Sequence, residues 1–322
     1  MRAIESGISV VIPVYNSEQC LETLCIRLQR VLHSLTRNSE IILVNDASRD
    51  GSWLKICALA RSHSDILGLD LRKNFGQDSA IMAGLRYARG RFIIIMDDDL
   101  QHDPEDIPKL VARLENGADV CYGRFARKRQ TWFKNAGSWF NDKVANVILK
   151  KPKGIYLSPF KGMHREIARE ISRYTGPYPY IDGLLFRVTS RIDQVDVAHH
   201  ARYAGKGNFT LRKSIRVWTR LATNFSITPL RIATVLGFLT SLCGFTLAVV
   251  YIVRYIIGMK GPEGWASLMV VVLCIGGVQM VSLGIVGEYV GRLFLHNSKH
   301  PQFAVRQIVG KAPSRKSMDD EG

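Results

Sequence analysis

Residues 96 to 100 read Met-Asp-Asp-Asp-Leu and follow an apolar run that begins at Phe92. Carboxylates placed there emerge where a strand ends, and the alternate residues Asp97 and Asp99 can share one hard cation, Mg²⁺ or Mn²⁺, which in turn holds a diphosphate. Without a cation, carboxylates so close together repel. A lone Asp-x-Asp is common as an acidic turn, so this segment gains its meaning from three companions: Val10 to Asn16, Val44 to Ser52 and Asn74 to Ala80. A second group of residues has the type needed to stabilise phosphate oxygens. It comprises Arg124, Arg127, Arg129, Lys161, and Arg202 with Lys206. His102, His164, His199 and His200 show no recognisable metal-ligand spacing and are expected at the surface or behind the site.

These segments need a frame. From Ile8 to Gly123, short β-branched runs alternate with longer amphipathic stretches, the pattern of a parallel sheet covered by helices. Strands are expected near Ile8 to Ile12, Glu40 to Val44, Ile66 to Leu71, Phe92 to Met96 and Asp119 to Tyr122, with helices over Glu18 to Leu35, Trp53 to Arg61 and Ser79 to Arg89. In such a sheet ligands collect at the carboxyl ends of the strands. Tyr15 and Asn16, Asn45 to Asp50, and Asp97 to Asp99 all fall there.

The chain of 322 residues is 47% hydrophobic yet 22% charged, so its apolar content is unevenly spread. Ile232 to Tyr255 and Ala266 to Gly287 are runs of about the 20 residues needed to cross a hydrocarbon layer, and two membrane spans are expected. Cations precede the first run (Arg212, Lys213, Arg216, Arg220, Arg231) and follow the second (Arg292, Lys299, Arg306, Lys311), which places both flanks in the cytoplasm. Between Asn208 and Asn224, Phe209, Leu211, Ile215, Trp218 and Leu221 interleave with cations as in a helix lying on anionic headgroups. The resulting division is a catalytic domain at 1–207, an interfacial helix region at 208–231, a two-helix anchor at 232–291 and a basic tail at 292–322. The net charge of +16 suits a polyanionic partner. With no helix-turn-helix, zinc or RNA-recognition motif, nucleic acid is not expected to be that partner. The six cysteines form no Cys-x-x-Cys pair and are read as reduced and structural. The apolar stretch before Pro13 is too short for a signal peptide, so the first domain is expected in the cytosol.

Together, Val10-Val11-Ile12-Pro13-Val14-Tyr15-Asn16, the Asn45-Asp46-Ala47-Ser48 segment, Asn74-Phe75-Gly76-Gln77 and the aspartate run resemble glycosyltransferase family 2, and Gly287-Glu288-Tyr289-Val290-Gly291-Arg292 resembles a signature of its bacterial polyisoprenyl-phosphate group. The resemblance implies an α/β domain of the GT-A type (Rossmann-like, with a mainly parallel sheet), followed by the interfacial helix and two transmembrane helices. It implies an inverting transfer of a monosaccharide from a nucleotide sugar to a polyisoprenyl phosphate, undecaprenyl in bacteria, at the inner membrane, with both termini cytoplasmic. Pro13, Tyr15, Asn16, Glu18, Asp46, Asn74, Gly76, Asp97 and Asp98 would then line the donor pocket, with Asp97 and Asp99 on the metal. Asp99, Arg124, Arg202 and Lys206 would serve the reaction, and Arg127, Arg129 and Lys161 the acceptor phosphate. Members of the group often form tetramers, so a homo-oligomer is a candidate partner.

Departures from the family pattern are Ala47 where glycine is usual, no aspartate in Leu157-Ser158-Pro159-Phe160-Lys161, and Gly207, Asn208 and Phe209 in the loop after Arg202. Two rival readings are a processive polysaccharide synthase, whose Gln-x-x-Arg-Trp motif is absent, and an inactive membrane scaffold, against which the aspartate pair argues.

Overall fold

The computed structural model describes residues 7–125, 154–176, 178–198, 264–297 and 301–310, with part of 234–257. Arg127, Arg129, Arg202, Lys206, His199, His200 and the expected interfacial stretch 208–231 lie outside the described residues. The chain divides into two units, one of Met1–Gly207 with Lys299–Gly322 and one of Asn208–Ser298.

In the first unit the β-branched runs become strands and the amphipathic runs become helices, in the order β1 Ile8–Val14, α1 Glu18–Leu35, β2 Ser39–Asn45, α2 Ser52–Ser62, β3 Ile66–Leu71, α3 Gln77–Tyr87, β4 Phe92–Ile95, α4 Ile107–Glu115 and β5 Val120–Phe125. Beyond them come β6 Lys161–His164, α5 Arg165–Ser172, α6 Ile181–Val188 and β7 Ile192–Val197. The second unit contains α7 Trp265–Asn297, after which β8 Val305–Val309 returns to the first.

One sheet holds all eight strands in the order β7-β5-β6-β4-β1-β2-β3-β8. Its centre is parallel, as expected, while β6 runs antiparallel to β4 and β5, and β8 antiparallel to β3. The chain moves from β1 outward through β2 and β3, then crosses to the other side of β1 for β4. This reversal opens a crevice at the carboxyl ends of β1 and β4.

The central strands are buried along their whole length, which is why they read as unbroken apolar runs. Helix α1 buries Cys20, Leu21, Leu24, Cys25, Leu28, Val31, Leu32 and Leu35, a stripe at helical spacing. Each such leucine contributes about 1.5–3 kcal/mol by leaving water. Among the described residues, Cys20, Cys25, Cys57 and Cys121 are free thiols.

Pro13 sits in a central strand without breaking it. Val11 turns its carbonyl toward β4, accepting from the Met96 N–H at 3.3 Å, whereas Val14 turns toward β2 and accepts from the Asp46 N–H at 2.9 Å. Pro13 shares the side of Val11 but lies beyond the last β4 pair, Val11 with Ile95, where no donor is required.

Helix α7 spans 33 residues, and Ala266 to Gly287 within it carry no charged side chain. Taken over the described residues, no helix is long and apolar enough to cross a membrane. Several side chains of α7 fall outside that set. The stretch expected as a basic tail, 292–322, contains the edge strand β8.

Gly84 of α3 brings helix and sheet into contact, for a Cβ there would lie 2.4 Å from Val11 Cγ1 and 3.2 Å from Val44 Cγ2. Both valines are fully buried and cannot yield cheaply. Gly84→Ala is therefore expected to destabilise the domain by about 1–3 kcal/mol despite the better helix propensity of alanine, measured by chemical denaturation of the purified chain.

Candidate active site

Three loops meet in the crevice, each leaving the carboxyl end of a strand with backbone donors that no ladder satisfies. They satisfy one another. The Asn16 N–H donates to Ser48 Oγ at 3.0 Å, and the Arg49 N–H returns to Asn16 Oδ1 at 2.8 Å. The first turn of α1 has no side-chain cap of its own. Instead the Glu18 N–H donates to Asp50 Oδ2 at 3.2 Å, the Ser17 N–H to Ser52 Oγ at 2.9 Å, and Glu18 Oε2 accepts from the Gly51 N–H at 3.0 Å. A Cβ at Gly51 would lie 2.4 Å from the Glu18 carboxylate, so a larger residue there would displace that side chain from its present position.

Asp46 is buried after β2 and braces a third loop. Its Oδ1 accepts from the Phe75 N–H at 2.7 Å and its Oδ2 from the Gly76 N–H at 2.9 Å, with Gly76 at φ +93°. Burial raises its pKa, and the two N–H groups oppose that rise. Asn74 donates from Nδ2 to the Asp46 carbonyl at 3.3 Å. Of the residues expected in the donor pocket, Asp46, Asn74 and Gly76 thus form one brace. Tyr15, 46% exposed, presents its ring outward.

On the β4 side, the Tyr15 N–H donates to Asp98 Oδ2 at 3.1 Å, across the crevice. Burial raises the Asp98 pKa and the neighbouring Asp99 adds to it, against hydrogen bonds from Ser17 and Tyr15. Asp97, Asp99 and His102 each bring one ligand atom to within 4.8 Å of the others. Two carboxylates and an imidazole in that space form a donor set fit for a divalent cation. Gln77, at the start of α3, donates from Nε2 to Asp97 Oδ1 at 2.7 Å, and the Gln101 N–H to Asp99 Oδ1 at 3.2 Å. His102 is not at the surface. It is buried and stacks between Phe125 and Phe160, with centroids at 5.4 and 5.3 Å. The Leu100 turn, at φ 59°, folds the chain so that residue 102 comes back beside 99.

The two described cations of the expected phosphate set are both engaged. Arg124 makes a two-pronged pair with Asp196 of β7, at 2.6 and 3.1 Å, on the outer face. Lys161 is buried beside the ends of β4 and β5, paired with Asp182 at the start of α6 and 5.1 Å from the Tyr122 ring. Tyr122 donates from its hydroxyl to the same Asp182 oxygen at 2.8 Å. Asp78, next to Gln77, joins this cluster. Sequence reasoning missed Gln77, Asp78, Asp182 and His102, because each takes its place through a partner distant in the chain or through a turn.

The family model for glycosyltransferase family 2 matches residues 9–172. The chain belongs to glycosyltransferase family 2. A second model, the C-terminal hairpin of GtrB, matches residues 228–293. The undecaprenyl-phosphate 4-deoxy-4-formamido-L-arabinose transferase of Serratia proteamaculans (strain 568) is 34% identical over 319 residues, covering 98% of this chain and 97% of that one. The transferase of the same name from Proteus mirabilis (strain HI4320) is 34% identical over 325 residues, covering 97% of each. Among solved structures, glucosyl-3-phosphoglycerate synthase from Mycobacterium tuberculosis in complex with Mn²⁺, UDP and phosphoglyceric acid matches with a TM-score of 0.50 at 18% identity, over 68% of this chain and 76% of that one. The family 2 chain thus has the mixed α/β sheet domain of the GT-A type.

Two measurements check the Lys161 cluster. Lys161→Ala leaves Asp182 and Asp78 without their cation in a buried setting and is expected to cost about 3–5 kcal/mol in chemical denaturation. Arg124→Ala, on an exposed pair, should leave the midpoint unchanged.

The second test uses pH. Burial above all, then repulsion from Asp182, pushes Asp78 from 3.8 up to about 6, against the pull of Lys161 and the Ile181 N–H. Between those values the native chain holds a proton that the unfolded chain has lost, so this group's contribution to stability falls as pH rises from about 4 to 6. Asp78→Asn, which mimics the protonated form, is expected to melt above the parent at pH 7, with the difference closing toward pH 4.

Proposed function

We propose that the chain transfers a monosaccharide from a nucleotide sugar to undecaprenyl phosphate at the cytoplasmic face of a bacterial inner membrane, supplying a lipid-linked sugar for cell-envelope modification. What carries the reading is the near full-length likeness to transferases named for that acceptor, over a chain that keeps the Asp97, Asp99 and His102 cluster at the sheet's switch point.

The acceptor's own chemistry fits a site without a dedicated base. A phosphate monoester has its second pKa near 6, so at neutral pH it is mostly a dianion and needs no proton removed. Its oxygen forms the new bond to the anomeric carbon while the bond from that carbon to the nucleoside diphosphate breaks, with inversion. The absence of an aspartate at Ser158-Pro159 is then no obstacle.

In this reading Asp97 and Asp99, with His102 beside them, hold Mg²⁺ or Mn²⁺, which supplies charge neutralisation for the leaving diphosphate. Gln77 orients Asp97, and Asp98 fixes the Tyr15 backbone so that the Tyr15 ring faces the nucleoside. Pro13, Asn16, Glu18, Asp46, Asn74 and Gly76 shape the rest of the donor pocket. Arg202 and Lys206, in a loop that resembles the family's, are assigned to the reaction, and Arg127 and Arg129 to the acceptor phosphate. Arg124 and Lys161, tied to Asp196 and Asp182, support the strand ends between which the phosphates lie. The spans over 232–255 and 266–287 anchor the chain, a reading supported by their length and apolar composition and by the match to the GtrB C-terminal hairpin over 228–293. A homotetramer would set several such sites on one membrane surface.

The test is transfer of labelled sugar from a panel of nucleotide sugars to undecaprenyl phosphate by the full chain in detergent, with Mn²⁺ or Mg²⁺. A chloroform-soluble product from one donor, abolished by EDTA and reduced at least about 100-fold in Asp99→Asn, is expected. No lipid product from any donor with folded protein would sink the proposal, and a long water-soluble polymer would replace it with a processive synthase.

A further inference from the structure

The strand that follows α7 does more than cover an edge. β8 pairs antiparallel with β3 from Gly68 with Val309 to Leu71 with Val305, with a shift between Asp70 and Leu71 that brings Arg306 over the end of β3. Arg306 Nε lies 3.5 Å from Asp70 Oδ2, and its Nη2 donates to the Arg72 carbonyl at 3.2 Å. Asp70 is buried, a position where a carboxylate needs partners. Its other oxygen accepts from Asn45 Nδ2 at 2.7 Å, while Asn45 Oδ1 accepts from the Ser48 N–H at 3.2 Å and Ser48 Oγ accepts from the Asn16 N–H. An unbroken series of polar contacts therefore runs from β8 to the loops after β2 and β1.

The segment is held on both sides of Arg306. Gln302 donates to the Gly176 carbonyl at 2.8 Å and also to that of Tyr174, and Phe303 lies 4.8 Å from the Arg86 guanidinium. Beyond the strand, Gly310 adopts φ +101°, and a Cβ there would come within 2.4 Å of the Ile66 carbonyl.

We propose that Arg306 is a positioning residue for the nucleotide-binding loops: through Asp70 and Asn45 it fixes the Ala47-Ser48 turn against Asn16. This rests on the reading of those loops as the seat of the nucleotide. Asn45 can offer its amide N–H₂ to Asp70 and its carbonyl to Ser48 in only one orientation, and the carboxylate held by Arg306 selects it. Loss of the guanidinium frees Asp70 to turn and Asn45 to follow.

The full chain in detergent is compared with Arg306→Ala and Arg306→Lys. Arg306 is about half exposed, so both variants are expected to fold. Amide hydrogen exchange at Ser48 and Arg49 should quicken about tenfold in the alanine variant with exchange across β1 unchanged, and the lysine variant should recover part of the protection. Calorimetry with UDP and Mn²⁺ should show binding weakened about fivefold to tenfold in the alanine variant. Equal exchange at Ser48 and Arg49 in parent and alanine variant, with only a lower melting temperature, overturns the proposal. If the parent binds no UDP, the assignment of the pocket is at fault, and the exchange comparison still upholds or overturns the relay.

Discussion

The hydrogen bond from the Tyr15 N–H to Asp98 ties together the two sides of the crevice at the switch point. Parallel strands end with backbone donors that have no ladder partner, and a ligand-binding edge cannot bury them under helices. Here the loops answer each other's donors with short polar side chains: Asp98 for Tyr15, Ser48 for Asn16, Asp50 for Glu18, Asp46 for Phe75 and Gly76. Since each of these acceptors comes from a different loop than its donor, these loops hold one another in place. The crevice gains its rigidity from this exchange rather than from packing.

The central sheet was readable because its strands are buried on both faces and so appear as continuous β-branched runs bounded by polar turns. β6, β7 and β8 were not readable for the opposite reason. Lys161–His164 has no strand-forming residue and exists because β4 and β5 leave a gap that an antiparallel segment fills. Val305–Val309 is short, lies among basic residues and forms against β3, far from it in the chain. At the site, the spacing of Asp97 and Asp99 could be seen directly. His102 could not be joined to them without knowing that Leu100 turns the chain back. Lys161 was visible as a cation, but its partner Asp182 lies 21 residues on, at the start of another helix.

Ala47 shows how a departure from a family pattern is absorbed. The position takes φ 53°, the left-handed region glycine adopts freely and alanine at a cost of about 1–2 kcal/mol. The turn keeps its shape because Asp46 and Ser48, on either side, are both held by hydrogen bonds. Asn16 and Leu100 share the left-handed conformation. Among the described residues, all three non-glycine positions of this kind follow β1, β2 and β4, where the chain must turn sharply to bring side chains into the crevice.

The discontinuity of the first unit, with residues 299–322 added after a separate unit of 208–298, bears on how the molecule is made. Synthesis proceeds from the amino end, so β3 emerges from the ribosome more than two hundred residues before its partner β8. For that interval β3 is an open edge, with unpaired backbone groups available to another chain. The sheet closes only after residues 208–298 have been translated. Nascent chains halted within 208–298 should thus carry a nearly complete but unsealed sheet, and it is this species, rather than the finished protein, that would require a chaperone to keep it from pairing with its neighbours.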